Sequence, residues 1–120
     1  MIALLRTLAV FQALLAMAVY GDEDGRVAGA YVFGHEARSF QPCGSTNIYW
    51  TRPVNREIAA RLRKRHGELA ARPYGRIYVL VSGRPTDKQT TGFAESYAGY
   101  FQISELLQAD RRFPPDCAIR

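Results

Sequence analysis

Apolar residues recur along this chain in three different patterns. From Val27 to Phe40 (VAGAYVFGHEARSF) they alternate with polar or small ones, which predicts one long strand bent at Gly29 and Gly34. Its two faces would carry Tyr31, Phe33, His35 and Ala37 on one side and Val32, Gly34, Glu36 and Arg38 on the other. The turn residues QPCGSTN follow, then a short strand-like run from Ile48 to Thr51 (IYWT), so Cys43 falls at the tip of a hairpin connection. Beyond Pro53 the period changes. Val54, Ile58 and Leu62 recur at four-residue spacing in VNREIAARLRKRHG and form the apolar stripe of a helix. Arg65 falls on that same stripe. The conflict disappears if Gly67 ends the helix as a left-handed cap, with Arg63, Lys64, Arg65 and His66 in the last turn, where cations complement the helix dipole.

A third pattern, nearly continuous apolar residues from Ile77 to Val81, suits a strand covered on both faces. TDKQTTG reads as an exposed loop. Ala98 to Ala109 (AGYFQISELLQA) gives a further strand-like run, with Phe101, Ile103 and Leu107 on one side and Tyr100, Gln102 and Ser104 on the other, while Leu106 and Leu107 side by side leave helix open at its end. RRFPPDCAIR turns on Pro114 and Pro115 before a short terminal strand carrying Cys117. Four or five strands and one helix make a mainly β chain with one helix (α+β). In so short a sequence they favour a small, strongly curved antiparallel sheet or partly open β-barrel, since closure removes exposed edges.

The first residues add a compartment. Arg6 precedes the apolar run Leu8 to Val19, and Ala16 and Ala18 stand like the small residues before a signal-peptidase cut. A membrane span would want about 20 apolar residues, more than this run supplies. Residues 1–21 therefore read as a signal peptide and residues 22–120 as a single domain, periplasmic or secreted, with no stable membrane anchor after cleavage. Export gives the cysteines their meaning. The only two, Cys43 and Cys117, read as one structural disulfide in an oxidising compartment. The bridge would close a loop of about 75 residues, for about 4 kcal/mol of chain-entropy stabilisation.

Gly29, Tyr31, Phe33 and Gly34, then Glu36, Arg38, Phe40, Pro42 and Cys43, followed by Tyr49, Trp50 and later GYFQISELLQ, form a pattern similar to the small OB-like domains of bacterial envelope proteins. In particular it resembles the carboxy-terminal domain of NlpE-type lipoproteins and related exported proteins. The resemblance implies an OB-like barrel over most of residues 22–120. In that family a separate amino-terminal domain carries the Cys-x-x-Cys motif associated with copper and surface sensing, and the lipoprotein form carries an anchoring cysteine. This chain has neither, so metal resistance and stress signalling do not carry over.

Catalytic patterns are sparse. His35 and Glu36, adjacent on a strand, would point to opposite faces and serve poorly as joint metal ligands. With both cysteines paired, zinc would lack its three or four protein donors. There is no G-x-S-x-G elbow and no phosphate-binding glycine loop. Nothing brings Glu36 and Glu105 together as an acid/base pair. The expectation is a protein that is not an enzyme and uses neither metal nor cofactor.

Charge is what stands out. Eight cations against two acids between Arg52 and Arg76 leave +6, more than the +5 of the full chain. Such a patch suits anionic lipid headgroups, acidic glycans or an acidic protein partner, although the same charges also suit a solvated helix face. Arg56, Arg61, Arg63 and Lys64, with Tyr49 and Trp50 beside them on the barrel, are the candidate binding residues. Basic patches and surface aromatics such as Tyr49, Trp50 and Tyr100 are used by OB-like barrels on nucleic acid. Export argues against that partner, and the aromatics read as core or barrel rim. The leading expectation is a non-catalytic exported domain that binds an envelope protein or an anionic envelope component. The alternatives are a small secreted inhibitor of an envelope hydrolase, with basic lysozyme disfavoured as target, and a metal-handling protein using His35.

Overall fold

The computed structural model describes residues 24–86 and 91–119. The proposed signal peptide and residues 87–90 of the TDKQTTG loop lie outside them. In chain order the elements are β1 (Gly25–Gly34), β2 (Ala37–Pro42), β3 (Tyr49–Pro53), α1 (Arg56–Leu69), β4 (Ile77–Thr86), a short 3₁₀ turn (Gly92–Ala94) and β5 (Tyr100–Asp110). The strands join in the order β1-β2-β3-β5-β4 into a closed barrel, with α1 in the connection between β3 and β4. This is an OB-like Greek-key arrangement.

The barrel is closed rather than partly open, and not purely antiparallel. β1 is long enough to serve two neighbours, Gly25 to Tyr31 pairing with β4 and Gly29 to Gly34 with β2. A four-residue parallel pairing of β3 with β5, from Trp50↔Tyr100 to Pro53↔Ile103, seals the remaining gap.

The long strand expected from Val27 to Phe40 is a hairpin. The chain reverses at His35 and Glu36, with Glu36 at φ 61, so Gly34 pairs with Ala37 and Tyr31 with Phe40. A reversal changes which residues share a face: Phe40 joins Tyr31 inside the barrel, and Arg38 lies 5.8 Å from the centre of the Phe33 ring. His35 and Glu36 are turn residues, not opposed strand residues, and their side chains meet at 3.4 Å in solvent.

On β5 the alternation slips twice. The pairing to β4 shifts between Ser82 and Gly83 and again between Leu80 and Val81, leaving Ser104 and Leu107 as the extra residues. Each bulge reverses which residues face inward. Phe101 and Ile103 are inside as expected, then Leu106 and Ala109, while Leu107 turns out of the core.

Helix α1 starts at Asn55, whose side-chain oxygen accepts the Ile58 N–H at 2.9 Å. Val54 lies before the helix and is exposed; the buried stripe is Ile58, Leu62 and His66. The helix does not stop at Gly67. It runs to Leu69, capped by Ala70 at φ −68, and Arg111 Nε donates to the Leu69 carbonyl at 3.0 Å. Only His66 of the four expected last-turn cations is in the last turn, and its ring is buried. Its Nε2 lies 2.7 Å from the Gly75 carbonyl, which can only accept, so that nitrogen carries the proton. The ring also meets Tyr31 edge-on, with centroids 6.0 Å apart. In the following connection Tyr74 donates its hydroxyl to the His35 carbonyl at 2.6 Å and lays its ring over Gly34. The α1–β4 loop is thereby tied to the β1–β2 turn.

Cys43 and Cys117 form the expected disulfide. Cys117 sits in coil, not in a terminal strand, and the tail is held locally by the Gly44 N–H on the Ala118 carbonyl at 2.7 Å. Phe113 packs edge-on against Tyr78 of β4, so the tail also covers part of the barrel's outside.

Candidate functional site

A helix turns about 100° per residue, so a basic run is distributed around it rather than gathered. Arg61, Lys64, Arg65 and Glu68 follow the i, i+3, i+4, i+7 spacing of a single face. Arg56 and Arg63, seven residues apart, share the opposite flank, beyond the buried stripe. Arg63 and Arg38 both act electrostatically on Tyr31. Burial nonetheless dominates there and pushes the Tyr31 phenol far above the ordinary tyrosine range.

The Arg61 face and the C-terminal half of β5 enclose a groove of about 510 Å³, lined by Arg61, Lys64, Arg65 and Glu68 and, from the strand, Leu106 to Ala109. The second β5 bulge helps to build it by turning Leu107 out of the core. Arg65 is committed to structure: it donates to the Ala109 carbonyl at 3.3 Å and to the Glu68 carboxylate at 3.4 Å. That contact resolves the misfit of an arginine beside the apolar stripe, since the head group ties the helix to the strand. Arg61 and Lys64 are exposed and have no carboxylate partner among the described residues.

The candidate residues are therefore not one cluster. Arg61 and Lys64 are in the groove, Arg56 and Arg63 are on the other flank, and the two aromatics are elsewhere. Tyr49 is half-buried and packs inward against the core, its ring 5.6 Å from that of Phe101. Trp50, the next residue, faces outward and meets Tyr97. Three participants escaped the sequence reading. Glu68 and Gln108 of the groove were masked by a helix assumed to end too early and a strand assumed regular. Arg52, two residues after Trp50 on the same strand face, was counted as charge only.

The described residues contain no group of three or more His, Cys, Asp or Glu able to hold a metal ion. No described helix is long and apolar enough to cross a membrane. The disulfide fits an oxidising compartment. No protein-family model matches the chain, and no curated protein or solved structure is significantly similar to it.

Proposed function

We propose that this chain is a non-catalytic exported binding domain, acting in the periplasm or outside the cell, that docks an acidic envelope protein or anionic envelope component in the groove between α1 and β5. The observation that carries the reading is the pair Arg61 and Lys64, two unneutralised cations on one wall of a concave surface. A concave site raises the local potential and excludes competing water better than a flat patch of equal charge. The leader-like first residues and the disulfide support the compartment.

The test is photo-crosslinking in intact cells from position 107, on the strand wall of the groove, comparing two charge-matched double variants. Arg61→Glu with Lys64→Glu reverses the groove; Arg56→Glu with Arg63→Glu makes the same change of net charge on the opposite flank. Loss of capture in the first only is the expected result. Equal loss in both would reduce the helix to a general electrostatic field, and no loss in either would make its charge a solubility feature.

A further inference from the structure

The outer surface of β3 and β5 carries a second cluster, built from residues the groove does not use. Trp50 and Tyr100 are partners in the parallel pairing, and since their neighbours Thr51 and Phe101 turn inward, both point away from the lumen, Trp50 half-buried and Tyr100 covered to 4% exposure. Arg52, two residues along β3, lays its guanidinium on the Tyr100 ring, 3.8 Å from the centroid and well inside the range of a cation–π contact, about 6 Å. The half-buried Trp50 ring meets Tyr97, from the connection before β5, edge to face at 5.5 Å and 69°. Tyr100 Oη accepts the Thr91 N–H at 3.4 Å, which ties the ring to the same connection.

Two features of this cluster point to a ligand. A surface arginine normally retains its side-chain freedom. Arg52 is exposed yet held over an aromatic ring, with no carboxylate partner among the described residues. Its planar fork of donors is thus oriented beforehand for a planar bidentate acceptor, which a carboxylate supplies. Beside it, Trp50 and Tyr97 meet at an angle and form an apolar corner, the type of aromatic surface enriched where binding energy concentrates. A pyranose ring offers matching C–H faces. A nucleobase fits less well: Arg52 already covers the Tyr100 ring, and the edge-on Trp50–Tyr97 contact leaves no parallel slot for a base. Strand-like nucleic acid also wants successive open platforms.

We propose that Trp50, Arg52 and Tyr97 form a binding site for an acidic sugar, with a pyranose ring against Trp50 and Tyr97, its carboxylate on the Arg52 fork, and the buried Tyr100 ring as the support that holds Arg52. Charge complementarity selects the acidic over the neutral sugar. The site stands on β3 and β5 and is independent of the groove beside α1.

Trp50 is the only tryptophan in the chain, so its fluorescence reports the site directly. The full chain is titrated with trigalacturonate, with maltotriose as the neutral comparator and a short oligothymidylate as the nucleic-acid one. A saturable change in emission is expected with the uronate alone. Arg52→Gln should weaken it at least tenfold, Arg52→Lys, which keeps the charge and loses the fork, by less, and Arg61→Glu with Lys64→Glu by under twofold. Tyr97→Ala, outside the strands, should weaken it as well, and circular dichroism checks that each variant is folded. The proposal is overturned if the uronate gives no saturable response, if binding survives Arg52→Gln, or if maltotriose or oligothymidylate binds as tightly.

Discussion

Phe40 and Phe101 pack ring against ring at the centre of the barrel, 4.7 Å between centroids, and each lies against a glycine of the neighbouring strand. Phe40 covers Gly29 of β1, and Phe101 covers Gly83 of β4. The four residues act as one packing unit: two rings fill the lumen only because two side chains are missing beside them.

A methyl group at Gly83 would sit 2.3 Å from the Gln102 carbonyl oxygen and 2.8 Å from the Phe101 ring, and one at Gly29 would meet the Gln41 oxygen and Phe40 at the same distances. Backbone atoms cannot swing aside, so Gly29→Ala and Gly83→Ala should each destabilise by about 2–3 kcal/mol in urea unfolding. Gly67→Ala should do the opposite. That position is inside α1, has open space around it, and should gain about 0.5–1 kcal/mol.

The Thr51 hydroxyl is buried in the barrel without a hydrogen-bond partner. Burying an unsatisfied hydroxyl is unfavourable, so Thr51→Val should raise stability by about 1 kcal/mol. A lower urea midpoint for the valine variant would show that the hydroxyl is satisfied in solution.

The tyrosines should separate on alkaline titration followed by phenolate absorbance. At Tyr100, burial pushes the phenol up, but the Thr91 hydrogen bonds and the Arg52 guanidinium prevail and hold it below the ordinary value of about 10. It should begin to ionise below the ordinary tyrosine range, and Arg52→Gln should move it upward. Tyr31 should stay neutral while the protein remains folded. Its folded pKa lies above its unfolded one, so its contribution to stability is complete below pH about 10 and is lost as pH rises beyond that. Tyr31→Phe should therefore flatten the alkaline fall in stability; an unchanged fall would assign it to other groups.

The disulfide spans a sequence separation of 74 residues, for which loop entropy gives about 4 kcal/mol. Replacing Cys43 and Cys117 together by alanine should cost up to that much. Hydrogen exchange should also show the Gly44 amide losing protection along with the tail, since its acceptor is Ala118. Loss of stability with the Gly44 amide still protected would mean that the tail is held by Phe113 rather than by the bridge.

Much of this was legible in the linear chain where one residue's neighbours decide its state. The β4 run, the existence and face of the helix at Ile58 and Leu62, the β character of residues around Tyr31 and Phe101, and the pairing of two cysteines all follow from local contrast between apolar and polar positions. The sequence also determined the amount of positive charge and roughly where it lies. What it could not determine was anything set by pairing between distant segments. The turn at His35 and Glu36 carries no Asn-Gly or Asp-Gly signal, because a glutamate occupies the φ > 0 position and the β2 partner holds it there. The β5 bulges arise from fitting an eleven-residue strand around a closed barrel against β4, and no local pattern records that curvature. Helix α1 passes Gly67 because Leu69 and Ala70 pack against the core and Arg111, 42 residues further along the chain than Leu69, reaches its last turn. The same cause divides the candidate residues. Tyr49 and Trp50 are neighbours in sequence on opposite sides of one strand, and only the closed barrel, by giving one of those sides a core and the other solvent, decides which of them can meet a ligand.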